Sequence, residues 1–153
     1  MNQTLKMYNS LSKKPFGKHI FSRFVAKGAP YFKSIGAMVT DLREGSCTIT
    51  MKDRKKVRNH INTVHAIALC NMAELAMGLA VNVSMPEGLR WIPKGMTVEY
   101  INKGIGTLTG LSSFDPGILK EGDIGVPFEI KNEAGEIVFK AVITVYISKI
   151  PKK

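Results

Sequence analysis

The sequence predicts an α+β protein in which an antiparallel sheet covers one long apolar helix. Residues 64–81 (VHAIALCNMAELAMGLAV) are apolar on nearly every side, which is typical of a helix inside a core. Most of the chain after residue 88 reads as strands separated by turn residues. A single buried helix followed by a series of strands favours a sheet that curls around the helix.

The first 30 residues predict an additional helical section, broken near Pro15. In its second segment Phe16, Ile20 and Phe24 recur at every fourth position, which indicates one apolar helix face. We expect this face to pack on the domain and the basic side chains to face solvent, namely Lys18, Arg23 and Lys27. Contact with a membrane is the alternative for a basic amphipathic helix.

Residues 35–52 predict a hairpin, because Cys47, Ile49 and Met51 alternate with small polar residues. A basic connection over 52–65 then leads into the central helix. Further strands are predicted at 91–102, 105–114, 123–132 and 136–148, and three or four of them are expected to be consecutive antiparallel strands. We therefore expect a single domain over 1–153, consisting of the helical section 1–30 and the α+β core 35–148. The exposed sheet edges favour a homodimer, with a dimer of dimers as a further possibility.

The formal net charge of +10 favours an anionic partner: nucleic acid, an acidic membrane surface or a phosphate-bearing small molecule. The basic run 52–58 has no interleaved aromatic residues and no nucleic-acid-binding motif, which argues against nucleic acid. His65, Asn71 and Glu74 interrupt the apolar helix, which argues against a membrane span. We therefore expect neither nucleic acid nor a membrane as a partner.

The cysteines Cys47 and Cys70 have no metal-ligand spacing, and the three histidines form no metal set with the carboxylates. We expect both cysteines to be reduced packing residues, and neither a metal nor a bound cofactor is predicted. The N-terminal residues lack the apolar region of a secretory signal, so the expected location is the cytoplasm.

Glu74 is the only acidic residue in the predicted core helix. An ionised carboxylate in a core is unfavourable unless it is paired, hydrogen-bonded or protonated, and its pKa should shift accordingly. The helix alone leaves two interpretations open with equal weight: a hydrogen-bonded structural residue or a catalytic acid/base.

Residues 59–74 (NHINTVHAIALCNMAE) resemble the motif of the hotdog-fold acyl-coenzyme A thioesterases, in particular the phenylacetate-pathway and mitochondrial-associated types. That motif has an Asn, then Gly-Thr-x-His-Gly-Gly at the start of the helix, then an Asp or Glu within it. Asn59, Thr63, His65 and Glu74 match it in type and spacing. The order of elements over 35–148 also matches the hotdog layout, so the resemblance implies this fold. The glycine pair is replaced by Ala66-Ile67, and the glycine before Thr63 by Asn62.

The resemblance implies hydrolysis of acyl-CoA or acyl-carrier thioesters at a site shared by two protomers, with coenzyme A as part of the substrate. Glu74 would be the general base or nucleophile, and the Ala66 N–H the oxyanion donor. Asn59 would position the water or the carboxylate, and His65 would orient the loop or bind the carbonyl side. Thr63 belongs to the same substrate-binding motif. Two basic side chains would contact the phosphates of coenzyme A: Lys56 and Arg58.

Simpler interpretations compete with these roles. His65 could satisfy backbone groups at the helix start, Asn59 could be a turn residue or cap, and most of the basic run could be solvated. Because Ala66-Ile67 replaces the glycine pair, the alternative function is a non-catalytic hotdog protein that binds an acyl chain or acyl-CoA. A third interpretation is a basic surface protein for membrane or nucleic acid.

Overall fold

The computed structural model describes residues 2–151, so residues 1, 152 and 153 of the predicted domain lie outside the described part. The three α-helices are α1 Gln3–Leu11, α2 Gly17–Gly28 and α3 Ala66–Ser84. The six strands are β1 Met38–Arg43, β2 Ser46–Met51, β3 Leu89–Tyr100, β4 Leu108–Ser113, β5 Gly122–Lys131 and β6 Ile137–Lys149. The predicted elements are thus present, and their order along the chain is the predicted one.

The strands form one antiparallel sheet in the order β1-β2-β4-β5-β6-β3. The predicted run of three or four consecutive antiparallel strands contains three, β4, β5 and β6, and β3 lies outside it. This strand pairs with β6 and forms one edge of the sheet, while β4 pairs back onto β2. The alternation of side chains fixes which face of a strand is buried, but it does not select the neighbouring strand.

Helix α3 is the centre of the core. It packs on the inner face of the sheet against β1, β2, β4, β5 and β6, and twelve of its 19 residues are buried. The predicted α+β arrangement, a sheet wrapped around one long helix, is confirmed. By length and composition α3 could cross a membrane, but 67% of its most apolar window is buried inside the protein, as expected for a core helix.

One side of α3 is open, however. Ile67, Glu74 and Asn82 are exposed, and Cys70 and Gly78, which lie between them on the same face, are only partly buried. The prediction that Glu74 lies within the core is therefore wrong for the single chain. The sequence conceals this face, because apolar or small residues occupy most of a stripe that repeats with the helical period.

Helix α2 also packs with a different side than predicted. Its buried residues are Gly17 and Phe21, while Phe16, Ile20 and Phe24 are exposed. Phe21 packs edge-on against Tyr8 of α1, with ring centroids 5.0 Å apart. Lys18, predicted to face solvent, donates a hydrogen bond to the Thr40 carbonyl at 2.6 Å. The predicted packing of the Phe16-Ile20-Phe24 face is therefore wrong.

Candidate active site

The chain enters α3 through a tight turn over residues 59–63, which the Asn59 side chain holds together. Its Oδ1 accepts hydrogen bonds from the N–H groups of Ile61 and Thr63, each at 3.1 Å. Its Nδ2 donates to the Oγ1 of buried Thr63 at 2.9 Å. Asn59 thus has the geometry of a turn residue, and it acts on the helix start by fixing the path of the loop.

Asn62 occupies the position where the resembling motif has a glycine. Its φ is +61°, in the left-handed region that glycine adopts freely and that asparagine tolerates better than most residues. Asn62 therefore adopts a conformation that a glycine at this position could also adopt. The loop before the helix can take the same shape with a different residue.

An ion pair fixes the first part of this loop. The Arg58 Nε donates to Asp53 Oδ1 at 2.7 Å and its second nitrogen, Nη2, donates to Oδ2 at 3.2 Å. The Asp53 side chain is only 5% exposed, and it also accepts a hydrogen bond from the Gly106 N–H. The hydrogen bonds from Arg58 hold the pKa of Asp53 below its usual value, reinforced by the Gly106 N–H, although burial opposes this shift. Asp53 therefore ties the 52–65 connection to the loop that follows β3, and Arg58 holds the Asp53 carboxylate in place.

Helix α3 begins with one backbone donor left free. His65 is the N-cap, and its Nδ1 accepts a hydrogen bond from the Ile67 N–H at 3.1 Å. The Ala68 N–H donates to the His65 carbonyl at 2.9 Å. Within residues 2–151 the Ala66 N–H has no acceptor. Ala66 thus presents an unpaired donor at the positive end of the helix dipole, the requirement for an oxyanion site.

A cleft of about 170 Å³ opens beside this helix start. Lys56, Arg58 and His65 line it together with residues of the segment before β1 and of the first α3 turns, namely Tyr31, Ser34, Ile35, Val57, Ile67, Ala68 and Asn71. Its polar walls come from the basic side chains and from the amide of Asn71. The cleft is smaller than the roughly 300–1,000 Å³ of typical small-molecule sites, so one chain offers only part of such a site.

Asn71 carries an unpaired polar atom in this cleft wall. Its Nδ2 donates to Ser34 Oγ at 3.2 Å, and Ser34 in turn donates its hydroxyl proton to the Tyr31 carbonyl at 2.7 Å. The Oδ1 is buried and has no partner among the described residues. Buried polar atoms are normally hydrogen-bonded, so Oδ1 is an unsatisfied acceptor in a residue of the cleft wall.

Glu74 lies away from the cleft, on the open face of α3. One turn before it, the Cys70 thiol contacts the Tyr100 hydroxyl at 3.4 Å, and one turn after it Gly78 packs under the Trp91 ring. Tyr100 and Trp91 lie at the two ends of β3, so Glu74 faces the middle of this edge strand. The contact with Cys70, together with burial, raises the pKa of Tyr100 to about 12.

The structure thus brings together some of the predicted site residues and separates others. Lys56, Arg58 and His65 share the cleft, and Ala66 lies between two cleft residues. Asn59 and Thr63 form the adjoining turn, whereas Glu74 is more than two helical turns along α3, roughly 13 Å from His65 at 1.5 Å per residue.

Sequence reasoning missed Asn71 as a residue of the cleft wall. The sequence feature that could have identified it is a polar side chain within an apolar helix, more than one turn after the helix start. The Tyr100 hydroxyl, beside Cys70 on the open face, was likewise not predicted as a site group. Within residues 2–151, no three His, Cys, Asp or Glu side chains form a group that could hold a metal ion.

A family profile described as a domain of unknown function, DUF4442, matches residues 17–147. The chain belongs to this family. The chain is also 38% identical to a protein of known crystal structure, genomics APC5556, with a TM-score of 0.86 over 96% of this chain and 99% of that one. A sequence comparison with curated proteins gives no significant match.

More distant solved structures share the fold. PA5026 of Pseudomonas aeruginosa, a probable thioesterase, has a TM-score of 0.77 at 18% identity and covers 84% of this chain and 93% of its own. A hypothetical thioesterase of Streptococcus pneumoniae, solved with coenzyme A, has a TM-score of 0.63 at 19% identity, over 76% of this chain and 91% of its own. This DUF4442 protein therefore has the fold of the hotdog thioesterases, which confirms the predicted resemblance.

Proposed function

We propose that this DUF4442 protein hydrolyses acyl-CoA or acyl-carrier thioesters, at a site that two protomers share. The single observation that carries the proposal is the unpaired Ala66 N–H at the start of α3, beside a cleft with basic and amide walls. Such a donor stabilises the oxyanion that forms when a thioester carbonyl is attacked. The coenzyme A bound to the Streptococcus pneumoniae relative supports this class of ligand.

The reaction needs a carboxylate near this donor, and the chain's own Glu74 is too far along the helix to supply it. Glu74 is exposed and faces β3, an edge strand whose outer side has no partner strand. Pairing of two copies through β3 would cover Glu74 and bring it to the helix start of the other copy. An unpaired edge of twelve residues favours such an interface.

In the proposed mechanism the Glu74 carboxylate of one protomer removes a proton from water, which attacks the carbonyl carbon. The Ala66 N–H of the other protomer binds the developing oxyanion, and the thiolate leaves as the carbonyl re-forms. In the alternative form of this step, Glu74 attacks the carbonyl carbon directly and forms an anhydride, which water then hydrolyses. Lys56 has no ion-pair partner among the described residues and contacts a substrate phosphate, whereas Arg58 fixes the loop through Asp53.

A specific observation favours a second candidate, a non-catalytic protein that binds acyl-CoA. The exposed Ile67 side chain lines the cleft at a position where the resembling motif has glycine. This side chain narrows the space beside the oxyanion donor. Binding of acyl-CoA without turnover would identify this function.

The test is thiol release from short, long and aromatic acyl-CoAs, with wild type compared with Glu74→Gln. We expect wild-type turnover and a loss of at least about 100-fold in kcat for the variant, because general-base catalysis typically contributes about 10²–10⁴-fold. Glu87→Gln, in the exposed turn after α3, is the matched control and should keep full activity. Retained activity in a folded Glu74→Gln protein would refute the assigned base, and binding without turnover would favour the second candidate.

A further inference from the structure

Helix α2 presents an apolar face to solvent that the proposed hydrolysis does not use. Phe16, Ile20 and Phe24 are 79%, 53% and 58% exposed. At about 100° per residue they fall within an arc of about 80°, whose centre is about 100° from the buried Phe21 and about 140° from the half-buried Val25. Three large apolar side chains in one exposed row are unusual for a surface that meets only water.

The charged side chains of the segment that carries this face, residues 1–40, are all basic. Arg23 and Lys27 lie on the same exposed side of α2, and His19 flanks it. Residues 1–40 contain no Asp or Glu, and the first acidic residue is Asp41. The same segment has seven basic residues: Lys6, Lys13, Lys14, Lys18, Arg23, Lys27 and Lys33. An apolar row on a segment whose own charged side chains are all basic is complementary to an anionic surface with an apolar layer beneath it.

The backbone at the start of α2 holds Phe16 outward. Phe16 has a φ of +59°, in the left-handed region that a bulky residue rarely adopts. The turn from α1 is tight, because the next residue, Gly17, lies against the Leu11 carbonyl, where a Cβ would be only 1.7 Å from the oxygen. An asparagine at position 16 would adopt this backbone conformation more easily, so Phe16 adopts it at a cost in conformational energy.

We propose that α2 docks the protein on an anionic lipid membrane, with Phe16, Ile20 and Phe24 in the headgroup region and Arg23 and Lys27 beside the lipid phosphates. An amphipathic helix that lies in the membrane plane has this combination of apolar row and basic flanks. A second copy of the chain is a poorer occupant, because its own α2 segment would bring the same positive charge. The proposal does not depend on the thioesterase activity.

The test is sedimentation of the full chain with phosphatidylcholine vesicles that contain or lack phosphatidylglycerol. We expect binding to the anionic vesicles at low salt, weaker binding at high salt and little binding to the neutral vesicles. Phe16→Asn combined with Phe24→Gln should weaken binding at least about 30-fold, since both side chains would be buried in lipid. Arg23→Gln and Lys27→Gln should each weaken it about fivefold.

The variants also separate this proposal from its alternatives. The double variant should remain folded, because both side chains are mostly exposed and asparagine suits the left-handed position 16. Ile150→Gln is the matched control, since Ile150 is 54% exposed just after β6, and β6 is four strands away from β1, against which α2 packs. It should bind vesicles like wild type.

Three results would overturn membrane docking. The first is no binding of wild type to anionic vesicles at low salt, and the second is equal binding by the double variant. The third is a lower oligomeric state of the double variant by light scattering without vesicles, which would make this face an interface between copies.

Discussion

At the scale of single residues, the proposed chemistry depends on the backbone of Ala66 more than on its side chain. Ala66 is the first residue of α3, and proline is well tolerated at this position. The preceding His65 has φ −63° and ψ 138°, the extended conformation that a following proline requires. Ala66→Pro should therefore remove the free N–H with little effect on folding. We expect kcat/KM to fall by about 10²–10³-fold, the effect of losing one oxyanion donor.

Ala66→Gly is the matched variant, because it keeps the N–H and restores the residue of the resembling motif. We expect its kcat/KM to equal or exceed that of wild type, since the methyl group no longer crowds the thioester. Thermal unfolding of both variants should show that they remain folded. An Ala66→Pro protein with wild-type kcat/KM would show that this N–H does not stabilise the oxyanion.

At the scale of elements, the connection between β2 and α3 depends on the buried carboxylate of Asp53. Its folded-state pKa is lowered, so its contribution to stability is complete above the unfolded pKa of about 4 and is lost as the pH falls through the folded pKa. Asp53→Asn should lower the free energy of unfolding by about 1 kcal/mol at neutral pH, since the Arg58 partner is partly solvated. Urea unfolding of wild type and Asp53→Asn at pH 7 and at pH 3 measures this difference in the free energy of unfolding.

The pH dependence of the stability difference distinguishes the loss of the Asp53 charge from a loss of packing. Asp53→Asn should differ less from wild type at pH 3 than at pH 7, because pH 3 lies below the unfolded pKa of about 4, where the stabilisation from a lowered folded-state pKa is reduced. Glu87→Gln, an exposed carboxylate with no partner among the described residues, should follow wild type at both pH values. An equal stability difference at both pH values would contradict the pKa shift of Asp53.

Local sequence patterns predicted some of these elements correctly and others incorrectly. The apolar run 64–81 predicted α3, and the 59–74 motif predicted its entry loop, because both depend on local spacing. The outward face of α2 could not be predicted in this way. Its buried side depends on contacts with Tyr8 and Thr40, distant in sequence, while the exposed row has the same period as a core stripe.

At the scale of the whole molecule, the strand order decides what the site can be. The alternating pattern predicted β3 as a strand but could not place it at the sheet edge, since only tertiary packing selects its neighbour β6. That position explains why Glu74 is exposed: no further strand covers this side of α3. Glu74, which the sequence placed in the core, is exposed in the structure and belongs to the proposed dimer interface.

The proposed shared site makes a prediction about mixed dimers. If each site uses Ala66 of one protomer and Glu74 of the other, Ala66→Pro and Glu74→Gln are each inactive alone. A mixed dimer would still have one intact site, made from the unmutated Ala66 of one chain and the unmutated Glu74 of the other. Half of the randomly exchanged dimers are mixed and half of their sites are intact, so activity should return to about a quarter of wild type.

The measurement is thiol release before and after the two inactive variants are mixed and allowed to exchange subunits, with light scattering to establish the dimer. Mixing Glu74→Gln with Glu74→Gln/Ala66→Pro is the control, because no intact Glu74 is present and activity should stay absent. If the exchanged mixture of the two single variants also stays inactive, each site takes both residues from the same chain. Since the span along α3 is too long for that within one rigid helix, such a result would also remove Glu74 as the base that acts at Ala66.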